Sequence, residues 1–156
     1  MENSEITNLL LITTFVFAFF FLIFDVRNKQ KSEIPKTNEN GIRFITCEWD
    51  LIINKSNKEN KLIFLYFFSS SKDNFMNIKY ETFSNTSVSL FFNSNFINVM
   101  ADIQNGWGYK LASNFNITFS PSFIFINQKG ELIAQTHGFM LPKDLIEFGK
   151  FGLSKL

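Results

Sequence analysis

The sequence predicts an α/β domain, with a central mixed sheet flanked by helices, preceded by one transmembrane helix. Short apolar runs typical of buried strands alternate with helix-like segments over most of the chain. The last two apolar runs are separated by the turn-forming sequence Asn-Gln-Lys-Gly, which predicts an antiparallel hairpin. A continuous apolar stretch near the N-terminus predicts the transmembrane helix. The 156 residues leave room for one such domain and an appendage.

The composition excludes several classes of function. A formal net charge of +1 gives the chain no overall basic field for holding nucleic acid. One histidine and one cysteine are too few ligands for a zinc site, and the single Cys47 excludes an internal disulfide. We therefore expect no nucleic-acid partner, no metal and no cofactor.

Residues 1–26 are predicted to be a single-pass membrane anchor. The sixteen residues from Leu9 to Phe24 contain no charge, proline or glycine. With their mildly polar neighbours they approach the length of about 20 residues that crosses a bilayer. A cleaved signal peptide is the alternative, but no Lys or Arg precedes the stretch and no small-x-small cleavage site follows it.

The charges that follow this stretch predict its orientation. Residues 27–41 are polar and are predicted to be a linker. Because its basic residues follow the span and none precedes it, the positive-inside rule places the domain, residues 42–156, in the cytosol. The endoplasmic reticulum, the mitochondrial inner membrane and a bacterial plasma membrane all fit this arrangement. The basic residues nearest the span are Arg27, Lys29 and Lys31.

The domain is predicted to begin with a strand, a helix and a second strand. Arg43–Thr46 is a short strand candidate, and Asp50 is placed to cap a helix over 51–59. Lys61–Phe68 is a continuous apolar run bounded by polar residues, as in strands buried on both sheet faces. The apolar residues available for packing the helix are Trp49, Leu51 and Ile52.

Three helices and a strand are predicted next. A loop over 69–74 leads into a helix over 74–82, and a further helical turn or two is expected over 87–92. Phe96–Ala101 has the apolar pattern of a second central strand, and a third helix is expected over 108–115.

The chain is predicted to end in a hairpin and a helix. Strands over 122–126 and 131–136 flank the turn, and Pro142 opens a helix over 143–151. Strands joined by helical crossovers imply a parallel core, to which the hairpin adds an antiparallel edge.

Three segments carry a resemblance to a known fold. They are the strand Asn60–Phe67, the helix end Glu81-Thr82-Phe83-Ser84, and Ser120–Ile126 followed by Gln128-Lys129-Gly130. With this pattern, residues 46–153 resemble a thioredoxin-like domain. The resemblance implies a cis peptide bond between Ser120 and Pro121.

Catalytic thioredoxins carry Cys-x-x-Cys after the central strand, at the start of the next helix, where the helix N-terminus stabilises a thiolate. At the matching place this chain has Lys72-Asp73-Asn74-Phe75, preceded by three serines. A serine cannot form a disulfide, and Cys47 precedes the first helix, which on this fold is far from the loop. We therefore expect a redox-inactive domain that is not an enzyme.

Four further segments resemble the UAS domain of Fas-associated factors and other UBX-domain proteins. They are Glu81-Thr82-Phe83, Val88–Phe96, Gly108-Tyr109-Lys110-Leu111-Ala112 and Gly138–Ile146. One branch of that family is inserted in the endoplasmic reticulum membrane, recruits the valosin-containing ATPase and senses long-chain fatty acids. The chain ends at Leu156 without a UBX domain, so the resemblance implies no ATPase-binding surface.

Aromatic residues supply the candidate interaction surface. Trp107 and Tyr109 are flanked by glycines ahead of a helix, which suits an exposed contact or core packing equally. Phe75 is the third candidate. Most of the other phenylalanines are expected in the core, and the remainder could form a groove for an acyl chain or a protein partner.

Two functions follow as expectations. The first is a membrane-anchored protein-interaction adaptor or structural subunit of a membrane complex, on the endoplasmic reticulum if UAS-like. The alternative is a lumenal or periplasmic holdase chaperone or, at lower weight, an oxidoreductase acting through an intermolecular disulfide at Cys47.

Overall fold

A four-stranded mixed sheet forms the centre of the computed structural model, which describes residues 41–71 and 75–156. The spatial order of its strands is β2-β1-β3-β4. The pairing is parallel between β1 and β2 and antiparallel between β1 and β3 and between β3 and β4. The strands are β1 (Leu62–Phe68), β2 (Phe96–Asp102), β3 (Ser122–Ile126) and β4 (Leu132–His137).

The predicted membrane anchor, residues 1–26, lies outside the described residues, as does the linker up to residue 40. Within 41–71 and 75–156, no helix combines the length and the apolar character needed to cross a bilayer.

The prediction of a parallel core is wrong at β3. In the register of β3 against β1, Tyr66 faces Phe123 and Ile63 faces Ile126, so the two strands run in opposite directions. The connection from β2 contains a helix, but the chain then enters β3 at the edge where β1 and β2 end. A helical connection yields a parallel strand only when it carries the chain back to the edge where the previous strand began.

The first predicted strand is reduced to a single bridge. Ile45 pairs in parallel with Val99, and the Ile45 N–H donates to the Asn98 carbonyl at 2.9 Å. Before this bridge, the Asn93 side chain accepts from the Arg43 N–H at 2.8 Å and donates to the Gly41 carbonyl at 3.0 Å. These side-chain bonds take the place of a strand ladder at residues 41–43.

Helix α1 (Trp49–Glu59) differs from its prediction in two respects, the residue at which it is capped and the face on which it packs. Its N-cap residue is Glu48, and Asp50 lies in the first turn, where a carboxylate complements the positive end of the helix dipole. Ile52 is fully buried, whereas Leu51 is 58% exposed, because neighbouring residues lie about 100° apart around a helix and Leu51 falls outside the face that packs on the sheet.

Two helices differ in form from their predictions. Helix α2 (Phe75–Ile78) continues as a π-helical segment, Lys79–Phe83, so the predicted helix changes its hydrogen-bonding pattern midway. Helix α3 (Thr86–Asn95) is longer than the predicted turn or two. Its start is fixed by Asn85, whose Oδ1 accepts from the N–H groups of Ser87 at 3.0 Å and Val88 at 3.2 Å.

Helices α4 (Gly106–Asn114) and α5 (Pro142–Leu153) lie close to their predicted positions. The sheet they help to cover has a different core on each face, because successive residues of β1 point to opposite sides. One core is mainly aromatic and the other mainly aliphatic, and the aromatic core contains many of the phenylalanines. The aromatic core includes Phe44, Phe64, Tyr66, Phe83, Phe92, Phe96, Phe123 and Phe125, and the aliphatic core includes Ile52, Ile63, Leu65, Val99, Leu111 and Ile124.

Candidate functional site

The candidate site lies at the edge where β1 and β2 end and β3 begins. The Ile103 N–H donates to the Phe68 carbonyl at 2.9 Å, which joins the two parallel strands at their ends. Of the four residues at the degenerate Cys-x-x-Cys position, Lys72, Asp73 and Asn74 lie outside the described residues. Phe75 begins α2, and the structure describes its backbone only. The serines that precede this position, Ser69–Ser71, are described.

These serines are hydrogen-bonded to the loop that follows β2. The Asp102 carboxylate accepts from both the hydroxyl and the backbone N–H of Ser70. The Ser71 N–H donates to Gln104 Oε1 at 3.3 Å, and the Asn105 side-chain amide donates to Ser70 Oγ at 3.4 Å. Ser70 and Ser71, which directly precede the degenerate Cys-x-x-Cys position, are therefore held by hydrogen bonds to Asp102, Gln104 and Asn105.

Asp102 organises this network. Its Oδ1 accepts from the Gln104 N–H at 2.9 Å and its Oδ2 from the Asn105 amide at 2.7 Å. Desolvation is the largest single influence on its pKa and raises it, but the hydrogen bonds from Gln104, Asn105 and Ser70 together lower the pKa below its usual range. The carboxylate is thus ionised at neutral pH and acts as a hydrogen-bond acceptor.

A cis-proline loop forms the other half of the edge. The Ser120–Pro121 peptide bond is cis, as the resemblance of this segment to thioredoxin-like domains implies. The Ser122 hydroxyl donates to the Phe119 carbonyl at 2.7 Å, and the Gly138 N–H donates to the Pro121 carbonyl at 2.8 Å. The loop is therefore tied to the end of β4.

Exposed apolar side chains lie in this loop and in the segment that follows β4. Phe119 is 68% exposed, and its ring stacks on His137 with the ring centroids 5.9 Å apart. Phe139 and Leu141, in the segment that follows β4, are also exposed. The Thr82 hydroxyl donates to the Met140 carbonyl at 2.6 Å and holds this segment against the π-helical turn. We call Phe119, Phe139 and Leu141 the apolar rim.

Trp107 and Tyr109 have different environments. Trp107 is half-buried and packs against the aliphatic core, so it is a structural residue. Tyr109 is exposed and lines a groove of about 260 Å³ with Ile103, Ala112 and Ile117. Tyr109 is the more exposed of the two and is therefore better placed to contact a partner.

Cys47 is partly buried beside the aliphatic core, between the Ile45 bridge and α1. Burial raises the pKa of its thiol, Glu48 adds to this effect, and Lys55 opposes it. A raised pKa keeps the sulfur protonated at neutral pH, whereas thiol–disulfide exchange requires a thiolate.

The Asp102 network and the exposure of Phe119 were missed by reasoning from the sequence. A signal for the network is present, since Asp102-Ile103-Gln104-Asn105 directly follows an apolar strand and its polar side chains are suited to bonding backbone N–H groups in turns. No comparable signal exists for Phe119, because aromatic residues between two apolar segments are usually buried.

The sheet order, the helix arrangement and the cis-proline loop together define a thioredoxin-like fold. Solved structures agree. A candidate disulphide-isomerase from Bacteroides thetaiotaomicron is 24% identical, with a TM-score of 0.66, and the match covers 75% of this chain and 97% of that one. The DsbH oxidoreductase is 17% identical, with a TM-score of 0.61, over 82% of this chain and 97% of that one.

A thioredoxin from Thermus thermophilus is also similar, with 17% identity and a TM-score of 0.57 over 68% of this chain and 82% of that one. No protein-family model and no curated protein sequence matches the chain. At these identities the likeness establishes the fold. The single cysteine fits a thioredoxin-like domain without redox activity.

Proposed function

We propose that this chain is a membrane-anchored, redox-inactive thioredoxin-like domain that binds a protein partner, as an adaptor or as a structural subunit of a membrane complex. The observation that carries the proposal is the hydrogen bonding of Ser70 to Asp102, beside an exposed apolar rim. The rim can hold a partner, but the loop has no sulfur for exchange.

The positions of the side chains support the proposed absence of redox chemistry. Exchange requires a thiolate attacking a disulfide sulfur. Ser69–Ser71 supply hydroxyls, and the bonds from Ser70 and Ser71 to Asp102 and Gln104 occupy the loop. Cys47 lies elsewhere, on the segment before α1, and its raised pKa disfavours the thiolate.

Binding is supported by the form of the apolar rim. Aromatic side chains that are exposed on a rigid frame are the residue types that contribute most to protein interfaces. Phe119 is held on such a frame, since the bonds of Ser122 and Gly138 fix its loop on both sides. The rim therefore offers a preorganised surface that loses little conformational entropy on binding.

The proposal includes a UAS-like adaptor on the cytosolic face of a membrane, with the endoplasmic reticulum as its site. Its support is the sequence resemblance at Gly108–Ala112 and Gly138–Ile146 and the flanking charges of the apolar N-terminal stretch. The rim residues Phe139 and Leu141 fall within the second of these segments.

The test is extraction of the tagged full chain in mild detergent, followed by size separation and mass spectrometry. We expect a defined assembly that Phe119→Ser removes. Leu90→Ser is the matched control, because Leu90 on α3 is 66% exposed and Phe119 is 68% exposed. An unchanged assembly in Phe119→Ser, or migration of the wild-type chain alone, would overturn the proposal.

A second assay tests separately whether the domain is redox-inactive. We expect the wild-type chain to reduce insulin no faster than Cys47→Ser does. Turnover above that of Cys47→Ser would show that Cys47 acts as a redox group and would support the oxidoreductase alternative.

A further inference from the structure

Charged side chains are segregated along the direction of the strands. Near the end where β1 and β2 begin, five cations lie on α1, on the segment before it, between α1 and β1, and on the β3–β4 turn. This group, which we call the basic end, consists of Arg43, Lys55, Lys58, Lys61 and Lys129. The turn is tied to α1 there, since the Asn57 amide donates to the Gln128 carbonyl at 3.2 Å.

The basic end has an excess of positive charge. Glu59 pairs with Lys55 at 2.5 Å and with Lys61 at 3.3 Å, and Glu131 is the second carboxylate in this region. Among the described residues, no carboxylate lies within ion-pair distance of Arg43, Lys58 or Lys129. The five cations outnumber the two carboxylates. The remaining positive charge can be balanced only by solvent or by another molecule.

A cavity of about 320 Å³ opens at the basic end. Arg43, Lys55 and Lys61 line it together with Glu59 and the side chains of Asn93 and Asn98. Arg43, Lys55, Lys58 and Lys129 are exposed, so their charged groups are available to a large anionic surface.

The opposite end of the domain carries carboxylates. Asp50 lies in the first turn of α1, Asp102 at the end of β2, and Asp144 in the first turn of α5, beside Lys143. These positions adjoin the edge that holds the Ser70 loop. The domain is therefore more negative at the candidate site and more positive at the far end.

Gly41, the first residue that the structure describes, lies at the basic end. The Gly41 carbonyl accepts from Asn93, which lies near the end of α3, just before β2 begins. In a chain anchored by its N-terminal stretch, the end that contains Gly41 is the end to which the anchoring segment connects.

We propose that the basic end binds the anionic headgroups of the membrane in which the chain is anchored. This inference rests on the anchoring in the proposed function. The cytosolic leaflet is negatively charged, and it attracts Lys and Arg near its surface within a Debye length of about 8 Å. Such binding orients the domain with the Ser70 loop and the apolar rim directed away from the lipid.

The test uses the full chain in vesicles of phosphatidylcholine, with or without phosphatidylserine, and a lipid that carries a quencher on its headgroup. A fluorophore is attached through Gln128→Cys at the basic end or Ser113→Cys on α4, each in a Cys47→Ser background. We expect phosphatidylserine to increase quenching at position 128 and not at position 113, and salt to reverse the increase.

Charge variants give the matched control. Lys58→Gln with Lys129→Gln should lower the population held at the lipid about five-fold for each lysine removed. Lys110→Gln with Lys143→Gln makes the same change in net charge away from the basic end and should leave quenching unchanged. Equal effects of the two pairs, or equal quenching in both vesicle types, would overturn the inference.

Extraction of the same vesicles at alkaline pH measures whether the chain is anchored in the membrane. It therefore distinguishes failure of the headgroup contact from failure of the anchoring. A chain that stays in the membrane but shows no phosphatidylserine dependence contradicts the headgroup contact alone. A chain that is released contradicts the anchoring, and with it both proposals.

Discussion

Ser70 donates two hydrogen bonds to Asp102, one from its hydroxyl and one from its backbone N–H. Ser70 lies just after the end of β1 and Asp102 is the last residue of β2, so this contact joins the ends of the two parallel strands. A carboxylate that accepts several N–H and O–H bonds is stabilised in its charged form. Serines in this loop thus have a structural role of their own.

The first prediction concerns the pH dependence of this contact. The folded pKa of Asp102 lies below its ordinary value near 3.8, so the unfolded chain binds the proton more readily. The stabilisation is therefore complete above that ordinary value and is lost as the pH falls through the lower, folded pKa. We expect Asp102→Asn to reduce the free energy of unfolding by about 1 kcal/mol at neutral pH.

Urea unfolding of both proteins at neutral pH and at several acidic values measures this effect. The difference between wild type and Asp102→Asn should shrink as the pH falls below about 4, because the unfolded wild-type chain then binds a proton at this carboxyl group more readily than the folded chain does. Asp144→Asn is the control, since it removes a carboxylate from the same end of the domain. A difference that stays constant with pH would contradict the assignment to Asp102.

The sequence predicts this fold well where the pattern is local. The apolar run at β1 and the turn between β3 and β4 each mark their element without tertiary information. The direction of β3 is not local, because it depends on where the chain re-enters the sheet after α4. The exposure of Leu51 and Phe119 is likewise decided by tertiary packing, which leaves no periodic signal in short segments.

The features of the candidate site also differ in whether they could be predicted before the structure was known. A cis Ser120–Pro121 bond could be expected from the resemblance to a fold, whereas the partners of Ser70 could not. The network joins residues about thirty positions apart, since Ser70 is bonded to Asp102 and Asn105, and Ser71 is bonded to Gln104. Only the parallel pairing of β1 and β2 brings these two loops together.

The second prediction concerns close packing of α5 on the sheet. A Cβ atom on Gly152 would lie 2.7 Å from the Phe125 ring, inside the aromatic core. Because that ring is fully buried, it cannot move without disturbing its neighbours. We expect Gly152→Ala to destabilise the domain by about 1–3 kcal/mol, although alanine favours helices.

Thermal unfolding of Gly152→Ala, compared with Lys143→Ala on the exposed side of the same helix, checks this prediction. Gain of stability in Gly152→Ala would mean that the helix shifts to accept the methyl group. A second substitution, Phe125→Leu, should partly restore the stability of Gly152→Ala if the ring is the obstacle.

The third prediction concerns the start of α3. Asn85 Oδ1 accepts from two backbone N–H groups that otherwise have no partner within the helix. We expect Asn85→Ala to lower the free energy of unfolding by about 1 kcal/mol, and Asn85→Asp to retain most of the stability. Ser87→Ala, in the same turn, is the control. Equal losses in Asn85→Ala and Asn85→Asp would show that the amide group, rather than the cap oxygen, stabilises the helix.

The fourth prediction concerns the reactivity of Cys47. Burial raises the pKa of its thiol, and the charges of Lys55 and Glu48 act on it in opposite directions. We expect Cys47 to react with iodoacetamide more slowly at neutral pH than an unhindered thiol does, with a rate that increases with pH beyond the ordinary titration range. Glu48→Gln should lower this pKa and speed the reaction, whereas Lys55→Gln should raise the pKa and slow it. If both variants shifted the pH profile in the same direction, altered access to the thiol, and not charge, would control the rate.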